Sequence, residues 1–307
     1  MKKILISGLA IAMVALKANA CDVCGCSASN QYLGILPQFH WNFVGLQYQY
    51  SSFNSTHPSL FEGQADEHAQ DYYNTLQLWG RYNVGKRIQA FLFVPYHYNV
   101  DNADTSHSSK SGLGDISLLV NRIMIKDKAA GDVWGQQLIA GGGIKLPTGR
   151  NVGVTAPDRL GLPNLQPGTG SWDFILNANY TLRYKKQGLN LDCAYTFTTP
   201  NKDNFKYGNR LNAGLLAYRS LKLGGGFNLL PQAGIRYDYT LHDYDNYNKK
   251  WLNDDSGGYL CFANVGLQAY YRQIGLRVNF QVPLGQYYGV GYVHANAKTE
   301  AGIFLLF

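Results

Sequence analysis

Beyond its first twenty residues, this chain of 307 contains no uninterrupted apolar run approaching the roughly 18 to 20 residues that a membrane-crossing helix requires. A helical membrane protein is thereby excluded. Charge is sparse at 15% of residues, and no block of about five or more Lys or Arg occurs, which argues against a nucleic-acid partner. Cysteine is scarce as well: the total of five is odd, so the set cannot pair completely within one chain. No second domain, internal repeat or low-complexity linker interrupts the sequence.

The N-terminus has its own pattern. Lys2 and Lys3 precede an apolar run from Ile4 to Leu16, and Ala18-Asn19-Ala20 follows. This is the order of a secretory signal peptide, and the run is too short to span a bilayer. Residues 1–20 are therefore read as a cleaved signal, and 21–38 as a cysteine-containing periplasmic extension. Residues 39–307 form the folded unit. Without Lys2, Lys3 and Lys17 the balance is 24 basic to 20 acidic residues.

What the sequence has in abundance is glycine (34), tyrosine (23) and alternation. Ile274, Leu276, Val278, Phe280, Val282 and Leu284 share one parity, while Gly275, Arg277, Asn279 and Gln281 share the other. Ala233 to Leu241, Leu189 to Phe197 and Phe174 to Leu182 repeat the pattern. Eleven alternating residues match a tilted membrane-spanning strand, which needs roughly 9 to 11. A secreted sandwich would alternate too, so loop lengths decide between them. Twelve strands are expected, near 39–53, 72–83, 87–100, 113–125, 134–147, 171–184, 188–199, 207–219, 224–242, 258–272, 273–285 and 298–307. The connections after odd strands are long and polar, and those after even strands are mostly short, such as Val84-Gly85-Lys86 and Lys185-Lys186-Gln187. Long extracellular loops and short periplasmic turns describe an all-β, antiparallel transmembrane barrel in a Gram-negative outer membrane. The even count puts both ends in the periplasm. The last strand closes on Phe307, with Ala301, Ile303 and Leu305 on its face, although Leu305 stands where a second aromatic is usual. Such a terminus suits recognition by the outer-membrane assembly machinery.

Gly112-Leu113-Gly114-Asp115, Lys145-Leu146-Pro147-Thr148-Gly149 and Gly168-Thr169-Gly170-Ser171-Trp172-Asp173 occur in that order at strand ends. Together they resemble the bacterial outer-membrane family named after the meta-cleavage pathway of phenol degradation, whose members are described as transporters. The resemblance covers most of residues 40–307. It implies a monomeric β-barrel passing small aromatic or apolar compounds, and it assigns no site residues. The motifs themselves read as structural: glycines permit close backbone approach, and Pro147 ends a ladder by removing a donor.

Parity then selects interior candidates. Trp41, Phe43, Trp79, Phe91, Phe93 and Phe262 give one aromatic wall. Arg81, Lys145, Arg183, Arg236, Asp238, Arg272 and Arg277 make the rest polar and net basic. Such an interior suits passage of a small aromatic or amphipathic solute; equally, these side chains would pack and pair inside a closed barrel. The expected function is an outer-membrane channel or transporter for such a solute, with lipids around it.

Cys21-Asp22-Val23-Cys24-Gly25-Cys26 carries the alternative. Three thiolates at this spacing suit a copper or zinc ion, with Asp22 or His40 as a fourth zinc ligand, and would make the barrel the anchor of a soft-metal protein. A Cys21–Cys24 disulfide and acylation of Cys21 stand beside that reading. Cys193 and Cys261 fall on the lipid-facing parity. No catalytic residues are assigned: His107-Ser108-Ser109 only faintly echoes an outer-membrane phospholipase and lies in a polar stretch. The acidic loop from Asp243 to Asp255 lacks the glycine and glutamate of a calcium-binding loop.

Overall fold

A computed structural model describes residues 41–57, 65–104, 106–126, 133–151, 163–202, 204–245, 249–253 and 256–307. The expected signal and extension, with Cys21, Cys24 and Cys26, lie outside the described residues.

Among the described residues, twelve antiparallel staves form a closed barrel. In chain order they are β1 (Phe43–His57), β2 (Glu67–Val84), β3 (Ile88–Ala103), the broken pair β4 (His107–Leu113) and β5 (Ser117–Ile125), β6 (Trp134–Lys145), and β7 (Asp173–Tyr184). There follow β8 (Gln187–Thr198), β10 (Arg210–Arg219) continued by β11 (Leu221–Gly224), β12 (Phe227–Thr240), β15 (Gly258–Tyr271), β16 (Ile274–Tyr288), and β17 (Val293–Ala295) continued by β18 (Lys298–Leu306). β9 (Phe205–Lys206), β13 (Tyr244–Asp245) and β14 (Lys250–Trp251) make a small separate sheet in the long loops. Neighbours in sequence pair as hairpins, and β18 closes the ring on β1 from Phe43↔Leu306 to Tyr50↔Thr299. Closure leaves no free edge, which a bilayer would not tolerate.

Alternation is expressed throughout. On β2 the residues from Ala69 to Arg81 at odd positions point inward and are buried, while Leu76, Leu78 and Tyr82 face outward. The outer surface is an apolar belt of Leu, Val, Ile and Phe bounded by rings. Tyr96, Tyr98, Trp172, Tyr287 and Tyr292 lie toward the long-loop end, and Tyr82, Trp134, Tyr184, Phe227 and Tyr271 toward the short-turn end. Two aromatic girdles around an apolar band mark a transmembrane barrel. Cys193 and Cys261 stand on the outward parity, within this surface.

The structure departs from the expectation at the long-loop end. The polar stretch 101–112 is not a loop: β3 and β4 continue as a hairpin, pairing from Tyr96↔Leu113 to Asn102↔His107. Likewise β1 and β2 stay paired as far as His57↔Glu67. Polar outward residues such as Asn54, Gln70 and Asn102 hide these extensions from a search for lipid-facing alternation, because there the outer face meets water. His107 and Ser109 both project outward from β4, and the His107 ring is bound to Asn102. They form no nucleophile and base pair. Asp243, in the acidic loop, is buried and accepts from the Gly208 N–H at 2.6 Å, so it braces the loop.

Candidate functional site: the barrel interior

The interior is filled by side chains in three levels. Nearest the short turns lies an apolar collar of Phe43, Trp79, Phe91, Phe93, Leu119, Ile175, Tyr218, Leu230, Tyr270, Phe304 and Leu306. These residues come from nine of the twelve staves and form one contiguous apolar cluster inside the barrel. Six rings run in sequence around it. Phe91 and Phe93 stack at 6.4 Å between centroids and Phe93 on Trp79 at 6.1 Å. Trp79 then meets Phe43 edge-on at 4.6 Å, Phe43 meets Phe304 at 6.1 Å, and Phe304 meets Tyr270 at 5.5 Å. Glycines make room for the rings: a Cβ on Gly275 would sit 1.9 Å from the Phe304 ring, and one on Gly188 would sit 2.5 Å from that of Tyr218. Two guanidinium groups lie against the collar, Arg81 over Phe43 at 5.3 Å and Arg277 over Trp79 at 5.8 Å.

Above the collar a polar chain crosses β15, β12, β16 and β18. Tyr270 donates to Gln268 (2.7 Å), Gln268 to Gln232 (3.1 Å), Gln232 to Asn279 (2.6 Å) and Asn279 to Glu300 (3.0 Å). Arg277 also donates to Glu300 at 2.7 Å. Beside it Arg236 bonds Asp238 at 3.1 Å, and the Lys298 ammonium stands 3.8 Å from the same carboxylate. Lys298 also lies 4.2 Å over the Phe262 ring. Phe262 belongs to a second apolar patch with Phe53, Tyr73, Leu260, Tyr288, Val293 and Ala295. A small cavity of about 20 Å³, room for roughly one water, adjoins Tyr73, Gln281, Lys298 and Glu300.

The third level joins the three sequence motifs. Asp115, in the break between β4 and β5, accepts from the backbone N–H groups of Gly149 (2.9 Å) and Thr169 (2.8 Å) and from the Thr169 hydroxyl (2.6 Å). Lys145 lies between Asp115 (3.2 Å) and Asp173 (2.6 Å) and donates to Thr169 at 2.5 Å. Ser171 donates to Asp173 at 2.9 Å. All these side chains are buried. Gly149 and Gly168 pack so closely that a Cβ on either would come within 2.6 Å of the other. The network pins the buried segment Asn164–Thr169 inside the barrel mouth, where the Leu165 carbonyl accepts from Asn99 at 3.1 Å. Far apart in sequence, the motifs are one assembly that folds a loop inward.

Parity placed Phe43, Trp79, Arg81, Phe91, Phe93, Lys145, Arg236, Phe262 and Arg277 in the interior, and the structure buries all nine. Asp238 is inward and half-buried, and Arg183 is half-buried at the lower end of β7. Trp41 is different. It precedes β1, where no strand constrains it; the residue is 52% exposed, and its carbonyl accepts from the Arg81 guanidinium at 2.5 Å and 3.1 Å. Arg272 sits in the exposed β15–β16 turn, stacked on Tyr271. Of the expected aromatic wall, Phe43, Trp79, Phe91 and Phe93 lie together on the adjacent staves β1 to β3, and Phe262 belongs to the second patch. Charge is also distributed otherwise than expected: buried Arg81, Lys145, Arg210, Arg236, Arg277 and Lys298 are matched in number by Asp71, Asp101, Asp115, Asp173, Asp243 and Glu300. A net basic interior would leave buried cations uncompensated, which costs several kcal/mol each, about the worth of a whole broken pair. Glu300, Lys298 and Phe304 were missed, though they share the inward parity of the last strand.

Among the described residues, no group of three or more His, Cys, Asp or Glu could hold a metal ion.

No family model matches the chain, and no curated protein matches it in sequence. Among solved structures, an outer membrane channel from Pseudomonas putida F1 superposes with a TM-score of 0.65 at 16% identity, over 87% of this chain and 96% of that one. The β domain of the Bordetella autotransporter BrkA gives 0.48 at 10% identity, over 86% and 99%. The transport unit of the autotransporter AIDA-I from Escherichia coli gives 0.46 at 11%, over 91% and 95%. The first shares this fold, and the architecture is that of Gram-negative outer-membrane β-barrels.

Proposed function

We propose that the protein is an outer-membrane channel for a small solute, held shut at two levels by the inward loop and the aromatic collar. The observation that carries this reading is an interior lined with buried amide and imidazole side chains, among them Gln89, His97, Asn121, Gln137, Asn177, Asn264 and Gln281. They are spread over β3, β5, β6, β7, β15 and β16. Polar side chains cost free energy in a sealed interior, where apolar ones would pack without that cost. A barrel serving only as an anchor gains nothing from that cost, whereas a passage uses these groups to contact water and solute as it opens.

The solute class follows from the collar. Six rings flanked by Arg81 and Arg277 favour a small aromatic or amphipathic compound, with stacking on its apolar part and charge attraction on its acidic part. The motif resemblance to the phenol-degradation transporters agrees with this class. The exposed Phe307 at the barrel rim suits the assembly machinery that inserts such barrels.

Planar-bilayer recording of the purified protein tests the reading. Discrete conductance steps, reduced by a small aromatic acid and unaffected by an aliphatic polyol, are expected. A bilayer that stays sealed across applied voltage overturns it.

A further inference from the structure

The short-turn rim carries a charge pattern that the channel reading does not use. Lys86, Arg87, Arg122, Lys126, Lys185, Lys186, Arg219, Lys222 and Arg272 are all exposed there, and Arg183 is half-buried beside them. Among the described residues of that rim no Asp or Glu is present, and the sequence of the β5–β6 connection adds Asp127, Lys128 and Asp132, so cations outnumber acids at this end. The long-loop end is mixed, with Asp66 and Asp104 exposed alongside Lys110 and Lys250.

Two further features fix the level and direction of these cations. Trp134 packs on Tyr184 (4.7 Å) and Phe227 on Tyr271 (4.9 Å), all four facing outward at the lower edge of the apolar belt. Aromatic belts sit at the headgroup boundary, so the cations just beyond lie at the depth of lipid phosphates. Lys185 and Arg272 reach back over the Tyr184 and Tyr271 rings at 5.3 Å each, toward the membrane side of the turn. Both also occupy the first position of two-residue hairpin turns, closed by Tyr184↔Gln187 and Tyr271↔Ile274, with φ of 52°. Gly or Asn is the relaxed choice at such a position. The chain keeps a cation at both in spite of the strain.

We infer that this rim binds the phosphate groups of anionic phospholipids in the facing leaflet. The lipid is recognised by its headgroup charge at the aromatic boundary, independently of whether the barrel conducts.

Native mass spectrometry of the whole protein, equilibrated with an equimolar mixture of phosphatidylglycerol and phosphatidylcholine of identical chains, tests it. The wild type should retain phosphatidylglycerol roughly five- to tenfold over phosphatidylcholine at low salt, and the preference should shrink as salt rises. The variant Lys185→Gln/Lys186→Gln/Arg219→Gln/Arg272→Gln should lose most of this preference, whereas Lys110→Gln/Lys250→Gln should keep it. If the fourfold variant fails to give the heat-modifiable folded form, Lys185→Gln/Lys186→Gln should still lower the ratio at least twofold. Equal retention of the two lipids overturns the inference. So does a preference unchanged in the rim variants, which would place the lipid elsewhere on the barrel. Displacement of the lipid by excess inorganic phosphate overturns it also, since that marks a site for free phosphate.

Discussion

Lys145 and Asp173 are register partners across the β6–β7 rung, with their charged atoms 2.6 Å apart and both side chains buried. Asp115 approaches the same ammonium from the β4–β5 break at 3.2 Å. One cation thus holds together three strand ends and the loop folded between them.

Replacing Lys145 with Met should therefore do two things. Two carboxylates lose their counter-ion in a buried site, a loss of about 3–5 kcal/mol, seen as a lower urea midpoint for unfolding in detergent. The inward loop also loses its clamp, so the surviving barrels should show a larger and more frequent open state in bilayer recordings. Adding Asp173→Asn should recover part of the stability and none of the closure.

The fit of Gly275 against Phe304 predicts a compensated pair. Gly275→Ala places a Cβ in the ring's volume and should cost about 1–3 kcal/mol. Phe304→Leu in the same chain should restore much of this, giving a clear coupling in a double-mutant cycle read from unfolding midpoints.

Trp79 contacts both Phe43 and Phe93 and so closes the collar between β1 and β3. Trp79→Ala should destabilise the barrel by about 3–5 kcal/mol and raise single-channel conductance severalfold. Stability lost with conductance unchanged would mean that the collar is a core and no part of the path.

Glu300 accepts from both Arg277 and Asn279 and is the acceptor at the end of the polar chain. Glu300→Gln keeps the shape and removes one buried negative charge from a balanced interior. The reversal potential in a potassium chloride gradient should shift toward the anion. A shift toward the cation would contradict this assignment of charge to the path.

Much of the molecule was legible residue by residue. The period of two is a local property of extended backbone, so Leu276, Val278 and Phe280 declare an outer face and Arg277 and Asn279 an inner one without reference to any neighbour. Chain distance between polar stretches did the rest, yielding twelve staves with long loops at one end. Trp41 shows the limit of parity, which holds only within a strand.

What the tertiary structure alone decided is how those inner faces meet. Strand pairing and barrel closure, which no short window contains, bring Phe43, Phe304 and Tyr270 to one level, and set Arg277 against a glutamate from the neighbouring stave. The inward loop is a longer-range event still: Gly114-Asp115, Lys145, Gly149 and Gly168 to Asp173 become one site because a buried ammonium and a buried carboxylate must find partners wherever the fold provides them. Within its strands the sequence by itself determined which side of the wall a residue faces; only closure of the barrel decided which residues share its interior.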